Sequence, residues 1–347
     1  MVTLWPTELR TDLRNGLRAR DKGDLELSTK FLQRAWEKSK TLPIKDFKDQ
    51  PHLKTSGIAV LLASILEADG KRERAYDIYL ESFEQLQQAG MEELSGPEKL
   101  RAIAIAYKLG EMANKLQRRE DEESHLVWAV ETILKSVFRL GDQPEGSEQA
   151  DHANCVLETA RAQSRNPDTL TMLSELSLPE WATKTDIASP LEALATFYAE
   201  AGRVDFAMPL YLRAISVLVP PSPEGSTDEE KCRGAQLMAN LAELIIRNHS
   251  KPSEEILHQA EAWALQGLQI TMKAKEKLPN INATCELAFA VALFNIAALR
   301  RMAGDNAEAK RLFALSLKQS KSIGLQSGVE HAEQALKELG APANPPP

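Results

Sequence analysis

Two groups of side chains in this sequence have the residue types and spacing for metal or acid–base chemistry. His152 and Cys155 lie three residues apart and would share a helix face, but structural zinc needs about four ligands and no second pair is present. The acidic run Glu120–Glu123 lacks the glycine-containing loop of calcium sites. We therefore interpret the pair as a surface histidine above a buried cysteine, and the run as a solvated turn between two helices.

The sequence contains none of the common catalytic or nucleotide-binding motifs. GxGxxG, the P-loop, GxSxG and HExxH are all missing from it. We predict that the protein is not an enzyme and that it binds no cofactor and no metal. The alternative is an enzyme with a dispersed active site, which activity screening and metal analysis would test.

Polar residues at matching places in two predicted helices could bind another protein. Asn240 in LMANLAELI and Asn295 in LFNIAALR can each donate and accept hydrogen bonds with the backbone of an extended peptide. Helical spacing places Glu243, Arg247 and Arg301 on or near the same surface. We predict that these five residues bind a peptide, with the arginines supplying charge. The alternative is that both amides cap or bridge neighbouring repeats.

The elements that would position these residues are helix pairs, and the clearest pair spans Ser189–Pro220. Ser189, followed by proline and then by Glu192, predicts a capping box at a helix start. Gly202 ends the first helix, and apolar residues recur at helical spacing on both sides of it. Small residues such as Ala195 would let the two helices approach closely. This arrangement resembles the tetratricopeptide repeat of about 34 residues.

The same arrangement recurs along the chain. The further pairs are Arg10–Lys38, Ile58–Gln87, Ala104–Leu134, Glu229–Ala274 and Leu287–Ser320, and a capping helix follows at Val329–Leu339. Capping boxes at Ser95 with Glu98 and at Thr227 with Glu230 predict two more helix starts. We therefore predict an all-α fold, a tetratricopeptide-repeat superhelix built as an α-solenoid of antiparallel helix pairs.

The regularity of the repeats divides the chain into four segments. We predict N-terminal repeats at 1–141, an irregular helical insertion or linker at 142–185, C-terminal repeats with the capping helix at 186–339, and a disordered tail at 340–347.

Composition limits the partners and the compartment. The net charge is −8 and no basic stripe is present, so we expect no nucleic-acid binding.

The sequence contains three cysteines, Cys155, Cys232 and Cys285. They are far apart and form no CxxC pair, which predicts no disulfide framework and a reducing compartment or buried thiols. The longest apolar stretches, Gly57–Leu66 and Leu287–Leu299, are shorter than the roughly 20 residues of a spanning helix. We expect no membrane insertion by this chain unless an N-terminal presequence and anchor helix are missing from it.

Four phrases resemble a fungal family. They are VWAVETILK (Val127–Lys135), LPEWATK (Leu178–Lys184), AMPLYLRAI (Ala207–Ile215) and LKQSKSIGLQSGVEHA (Leu317–Ala332). The family is that of the tetratricopeptide-repeat adaptor subunit of the mitochondrial inner-membrane i-AAA protease, and it is more distantly similar to an animal repeat protein of respiratory complex III assembly. The resemblance implies an anchor helix and a soluble array in the intermembrane space that delivers misfolded proteins to the protease. This sequence shows neither anchor nor presequence, so we expect either that an N-terminal part is missing from it or that the protein is a soluble relative.

These observations predict a non-enzymatic adaptor that binds unfolded or extended client proteins and delivers them to a mitochondrial inner-membrane AAA protease. Its partners would be those clients and the protease subunits. The alternative is a soluble scaffold or co-chaperone for the assembly of protein complexes, such as those of the respiratory chain. The resemblance implies a location at the inner membrane facing the intermembrane space, and a cytoplasmic location is the alternative.

Overall fold

The computed structural model describes residues 5–138, 181–220, 225–247, 249, 251–277 and 282–340, and helices are the regular secondary structure in these ranges. The predicted all-α class is confirmed. One compact unit holds residues 5–138 and 181–183, and a second begins at Lys184. The predictions for His152, Cys155, most of the insertion at 142–185 and the tail beyond residue 340 lie outside the described residues.

The N-terminal unit consists of three helix pairs. Its helices are α1 (Thr7–Asp21), α2 (Leu25–Thr41), α3 (Pro51–Ala68), α4 (Arg72–Gln88), α5 (Gly96–Lys115) and α6 (Arg119–Phe138). Each helix packs on the next in the chain, and α3 also contacts α5, the first helix of the following pair. Glycine turns follow α1 and α3, where Gly23 and Gly70 adopt φ values of 78° and 75° that side-chain-bearing residues avoid.

The C-terminal unit has three further pairs and a final helix. Its helices are α7 (Lys184–Glu200), α8 (Val204–Leu218), α9 (Asp228–Arg247), α10 (Glu254–Lys277), α11 (Ala283–Met302), α12 (Asn306–Ser322) and α13 (Gln326–Gly340). The first helices α9 and α11 contact each other, and α13 packs on α12. The predicted capping helix at Val329–Leu339 is therefore α13, which begins three residues earlier than predicted.

A fixed offset relates the two helices in five of these pairs. A small buried residue of the first helix precedes a large buried residue of the second by sixteen positions: Gly16 and Leu32, Ala63 and Tyr79, Gly110 and Leu126, Ala195 and Tyr211, Ala297 and Phe313. A Cβ atom added to Gly16 would lie 2.8 Å from the Leu32 side chain, and one added to Gly110 would lie 2.7 Å from Leu126. The helices are thus in direct contact at these positions, which is the small-against-large packing of tetratricopeptide repeats.

The pair α9 and α10 has a longer turn and makes its closest approach at a different glycine. A Cβ atom added to Gly267 would lie 2.8 Å from the backbone carbonyl oxygen of Ala235. Because a backbone oxygen cannot rotate away as a side chain can, any larger residue at this position would push the two helices apart.

Two predicted capping boxes are confirmed. The Glu98 side chain accepts hydrogen bonds from the Ser95 backbone N–H and hydroxyl, at 3.0 and 2.7 Å. The Glu230 carboxylate accepts from the Thr227 N–H at 2.8 Å, and the Glu230 N–H donates to the Thr227 hydroxyl at 3.1 Å. These contacts pair backbone groups that a helix start leaves without partners.

The predicted capping box at Ser189 is wrong. Helix α7 begins at Lys184, Pro190 lies inside it, and the Ser189 hydroxyl donates to the Thr185 carbonyl oxygen at 2.7 Å instead of capping the helix. The turn before the proline buries Ile187 and Ala188 at 2% and 0% exposure. Burial of these side chains offsets the helix hydrogen bond that a proline cannot make.

The acidic run Glu120–Glu123 lies within α6, with its first three residues in the first turn of that helix, so its interpretation as a solvated turn is also wrong. Glu122 is 5% exposed. Its carboxylate accepts a hydrogen bond from the Asn114 amide at 2.9 Å and pairs with Arg119 at 3.1 Å. Negative charge at this end of a helix is favoured by the helix dipole, and here it also joins α6 to α5.

Helix α11 is the one helix in the described ranges that is long and apolar enough to cross a membrane. It buries Cys285, Ala288, Leu293 and Ile296, and it packs against α9, α10 and α12. Its position between neighbouring helices accounts for its apolar composition, since a helix covered on several sides carries apolar residues around much of its circumference.

The expectation that the cysteines form no disulfide is wrong. Cys232 and Cys285 are bonded, with their Cα atoms 4.9 Å apart. Both side chains are fully buried and pack with Ala274 of α10. The cysteines are 53 residues apart in the sequence, but they lie near the starts of α9 and α11, which are equivalent helices of adjacent pairs. Repetition of the fold therefore brings together two residues that no local motif connects.

Replacing both bonded cysteines, as Cys232→Ala/Cys285→Ala, should lower the free energy of unfolding by about 2–4 kcal/mol, because the bond restricts the unfolded chain. Chemical denaturation followed by circular dichroism measures this change. Cys155→Ala, which keeps both bonded cysteines, is the control. The unreduced wild-type protein, once denatured, should have one titratable thiol among its three cysteines, and finding three would contradict the bond.

Candidate peptide-binding groove

A cleft opens on the C-terminal unit between α7 and α9, the first helices of consecutive pairs, with a volume of about 210 Å³. We call it the client groove. Its lining consists of Thr196, Ala199, Glu200, Tyr211, Asn240, Glu243, Leu244 and Arg247.

Helix α9 supplies one wall of the client groove because of its residue spacing. Asn240, Glu243 and Arg247 follow one another at three- and four-residue intervals and so share a face, while Leu241 and Ala242 are buried on the other side. Glu243 and Arg247 form an exposed ion pair four residues apart. Such a pair contributes only a few tenths of a kcal/mol, so either side chain can exchange its partner for a bound peptide.

Tyr211 reaches the client groove from α8. It is 4% exposed, and its hydroxyl lies 3.0 Å from the Thr196 hydroxyl. Burial raises the pKa of Tyr211, so the phenol stays protonated at neutral pH. The two hydroxyls therefore add neutral hydrogen-bonding groups to a wall that otherwise carries charge.

Asn240 is the residue whose hydrogen-bonding groups are available in this cleft. Its side chain is half-buried, and within the described ranges it makes no side-chain hydrogen bond. An amide has two donor hydrogens and an acceptor oxygen, the groups that pair with the N–H and C=O of an extended chain.

Asn295 has a different role although it occupies the same place in its helix. Asn240 and Asn295 are each the thirteenth residue of α9 and α11. The Asn295 amide donates to the backbone carbonyl oxygen of Ala239 at 3.0 Å and so bridges α11 to α9. At this position the structure matches the bridging alternative that the sequence left open.

Arg301 also lies away from the client groove. Its guanidinium is 2.8 Å from the Glu338 carboxylate of α13 and 6.0 Å from the centre of the Phe313 ring. The structure therefore brings together three of the five predicted residues, and Asn295 and Arg301 contribute to contacts among the last helices.

Sequence reasoning missed the residues that α7 and α8 contribute. Thr196 and Glu200 follow Ala195, the small residue at the contact with α8, by one and five positions. Tyr211 of α8 is not among the five predicted residues either. The sixteen-residue offset could have identified them. It pairs Ala195 with Tyr211 and so indicates which face of α7 lies against α8 and which neighbouring residues remain at its edge.

The described residues offer no metal centre, since no three His, Cys, Asp or Glu side chains there lie close enough to hold an ion. The groups in the client groove are an amide, two hydroxyls, two carboxylates and a guanidinium. Such groups can hold a peptide by hydrogen bonds and charge.

Comparison with known proteins places the chain by its fold. No protein-family model and no curated protein sequence matches it. BtubC (BKLC) from P. vanneervenii is similar in structure, with a TM-score of 0.51 at 12% identity, over 93% of this chain and 95% of that one. The S. pombe nuclear import adaptor Nro1 aligns with a TM-score of 0.41 at 14% identity, over 96% of each chain. A tetratricopeptide repeat protein from Parabacteroides merdae aligns at 0.38 with 13% identity, over 96% of this chain and 99% of that one. The likeness to BtubC concerns the fold alone, and the two lower scores support no argument.

The two asparagines should differ in their effect on stability. Asn295→Ala leaves the Ala239 carbonyl without its partner and should lower the free energy of unfolding by about 1 kcal/mol. Asn240→Ala removes no internal hydrogen bond and should change it by less than about 0.5 kcal/mol. Urea denaturation of the two variants measures the difference, and equal losses would contradict the separate roles described here.

Proposed function

We propose that this protein is a non-enzymatic adaptor of the tetratricopeptide type that binds an extended segment of a client protein in the client groove. The observation that supports this function is the Asn240 amide, which is half-buried between two first helices and makes no hydrogen bond within its own unit.

The groups of the client groove suit the main chain of a peptide better than any particular side chain. Asn240 can pair with one N–H and one C=O of an extended segment. The Glu243–Arg247 ion pair and the Tyr211 hydroxyl add contacts on either side of it. In a folded protein nearly all main-chain groups are already paired, so such contacts select for unfolded or extended clients.

The affinity of a single site of this size should be modest. Each hydrogen bond contributes about 0.5–1.5 kcal/mol net, and binding costs the ordering of the client chain. Strong binding of a client would therefore require several contacts along it.

An unfolded probe tests this function directly. Reduced and alkylated α-lactalbumin, which cannot refold, should bind the protein in fluorescence anisotropy, whereas the native form should not. Asn240→Ala should weaken the binding roughly two- to tenfold through the lost hydrogen bonds. Asn306→Ala is the matched control, because Asn306 is exposed at the start of α12 and does not line the groove.

Two outcomes would contradict this function. Binding that is unchanged in Asn240→Ala would remove the groove from consideration. Binding of folded proteins without any binding of the unfolded probe would favour the alternative, a scaffold or co-chaperone for the assembly of complexes.

We further propose that the adaptor delivers its clients to an AAA protease at the mitochondrial inner membrane and that it faces the intermembrane space. The resemblance of four short sequence segments to the fungal adaptor family supports this location. The buried Cys232–Cys285 bond supports an oxidising compartment over the cytosol, where disulfides are kept reduced.

Fractionation of cells that carry the epitope-tagged protein tests the location. The protein should be found with mitochondria, and external protease should digest it only after the outer membrane has been opened. Alkylation of thiols at the moment of lysis should leave Cys232 and Cys285 unmodified, because the bond protects them. Recovery from the cytosol with both cysteines alkylated would contradict the location.

A further inference from the structure

The N-terminal unit has a second cleft, formed by the second helices of its first two pairs, with a volume of about 610 Å³. It lies between the N-terminal halves of α2 and α4. We call it the basic cleft and define it by Leu27, Lys30, Phe31, Arg34, Lys71 and Arg74. The proposed client groove lies on first helices of the other unit, so the basic cleft is a separate surface.

Apolar side chains in the basic cleft remain accessible. Helix α2 buries Leu32 and Trp36 completely in the core, whereas Leu27 is 42% exposed and Phe31 is half-buried. The Arg34 guanidinium lies 4.9 Å from the centre of the Phe31 ring. An aliphatic or aromatic side chain of a partner could therefore be buried here without any displacement of the core of the unit.

The charge of the basic cleft is opposite to that of the whole protein. Its lining has four basic side chains and one acidic one, Glu26, although the chain as a whole has a net charge of −8. Three of the basic side chains are exposed at the surface and form ion pairs: Lys30 with Glu26, Arg34 with Asp12, and Lys71 with Asp69. The Lys30–Glu26 pair is exposed on both sides and such a pair contributes about 0–1 kcal/mol, and the cations of the other two pairs also face solvent, so the carboxylates of a partner can reach all three basic side chains. Arg74 is exposed and makes no ion pair within the described residues.

We propose that the basic cleft docks an acidic segment of a partner protein. An apolar side chain of that segment packs against Leu27 and Phe31. Its carboxylates pair with the basic side chains at the rim, Arg34 and Arg74 in particular. Apolar contact at the centre with charge at the rim is the arrangement of protein interfaces, whereas a nucleic-acid site would carry basic residues along a phosphate backbone.

Docking at the basic cleft is compatible with the proposed adaptor function, but it is argued from separate observations and does not rest on that function. An adaptor holds a client with one surface and the receiving machine with another, and the two clefts lie on different units of the chain. Docking at α2 and α4 leaves α7 and α9 unchanged, so each site can be removed by itself.

The probe for the test is a fluorescein-labelled acidic peptide that forms an amphipathic helix, with Phe and Leu one turn apart and Glu at the remaining positions. The full chain should bind it, and binding should weaken as salt is added. Arg34→Glu/Arg74→Glu should weaken binding at least about tenfold by opposing the charge of the peptide. Leu27→Ser should weaken it about fivefold by removing the apolar contact.

Matched controls separate the basic cleft from general charge effects. Lys310→Glu/Lys318→Glu changes the net charge by the same amount at exposed positions of α12 and should leave binding within about twofold of the wild type, because α12 does not line the basic cleft. Asn240→Ala should also leave peptide binding unchanged, so failure of the client groove and failure of the basic cleft can be distinguished. The substituted cleft residues are exposed or rim residues, and circular dichroism checks that each variant is folded.

Three results would overturn the proposal. Equal losses from the two charge reversals would show attraction to the net charge alone. Unchanged peptide binding by Leu27→Ser would show that no apolar side chain of the peptide is buried in the basic cleft. Tighter binding of poly(U) RNA or of vesicles with anionic lipid than of the peptide, lost in Arg34→Glu/Arg74→Glu, would assign the cleft to a nucleic acid or to a membrane surface.

Discussion

The close approach of two helices within each pair is the constraint on which the rest of the structure depends. In five of the six pairs described, a glycine or alanine in the first helix allows the second to come near enough for a large side chain, sixteen residues later, to be buried. In the pair of α9 and α10 the close approach is at Gly267 of the second helix instead. At Gly16 and Gly110 even a methyl group would collide with the opposing leucine. When the two helices of a pair are in contact, the second helix covers only one face of the first. The remaining face can carry polar groups that packing does not require, and Asn240 on α9 is such a group.

The repetition of this constraint explains how much of the fold could be predicted from the sequence. The small and large residues, the glycine turns and the capping boxes at Ser95 and Thr227 are local signals, and each of them lies within one pair. Helix bounds were therefore predicted to within several residues wherever these signals agreed. The start of α7 was missed because the Ser189-Pro190 sequence satisfies the local rule for a helix start, while the burial of Ile187 and Ala188 depends on the rest of the unit.

The candidate site was harder to predict for the same physical reason. Asn240 and Asn295 are indistinguishable by their position along a helix, and they differ only in what the neighbouring pair presents to them. A carbonyl oxygen of α9 lies within reach of Asn295, whereas a cleft lies beside Asn240. The contact between Cys232 and Cys285 likewise depends on the stacking of two pairs. Which residues of neighbouring pairs meet therefore cannot be predicted from local signals in a single sequence.

The bond between α9 and α11 has a consequence for a protein proposed to work beside an unfolding motor. An AAA motor pulls a polypeptide through a narrow pore from one end, and a helical hairpin that packs only on its neighbours offers little mechanical resistance. Cys232 and Cys285 close a loop of the chain, with a sequence separation of 53, that cannot be threaded as a single strand. While the bond is intact, a motor pulling from either terminus would have to pass two strands of the adaptor through its pore together at this loop, so the bond opposes extraction of the adaptor itself.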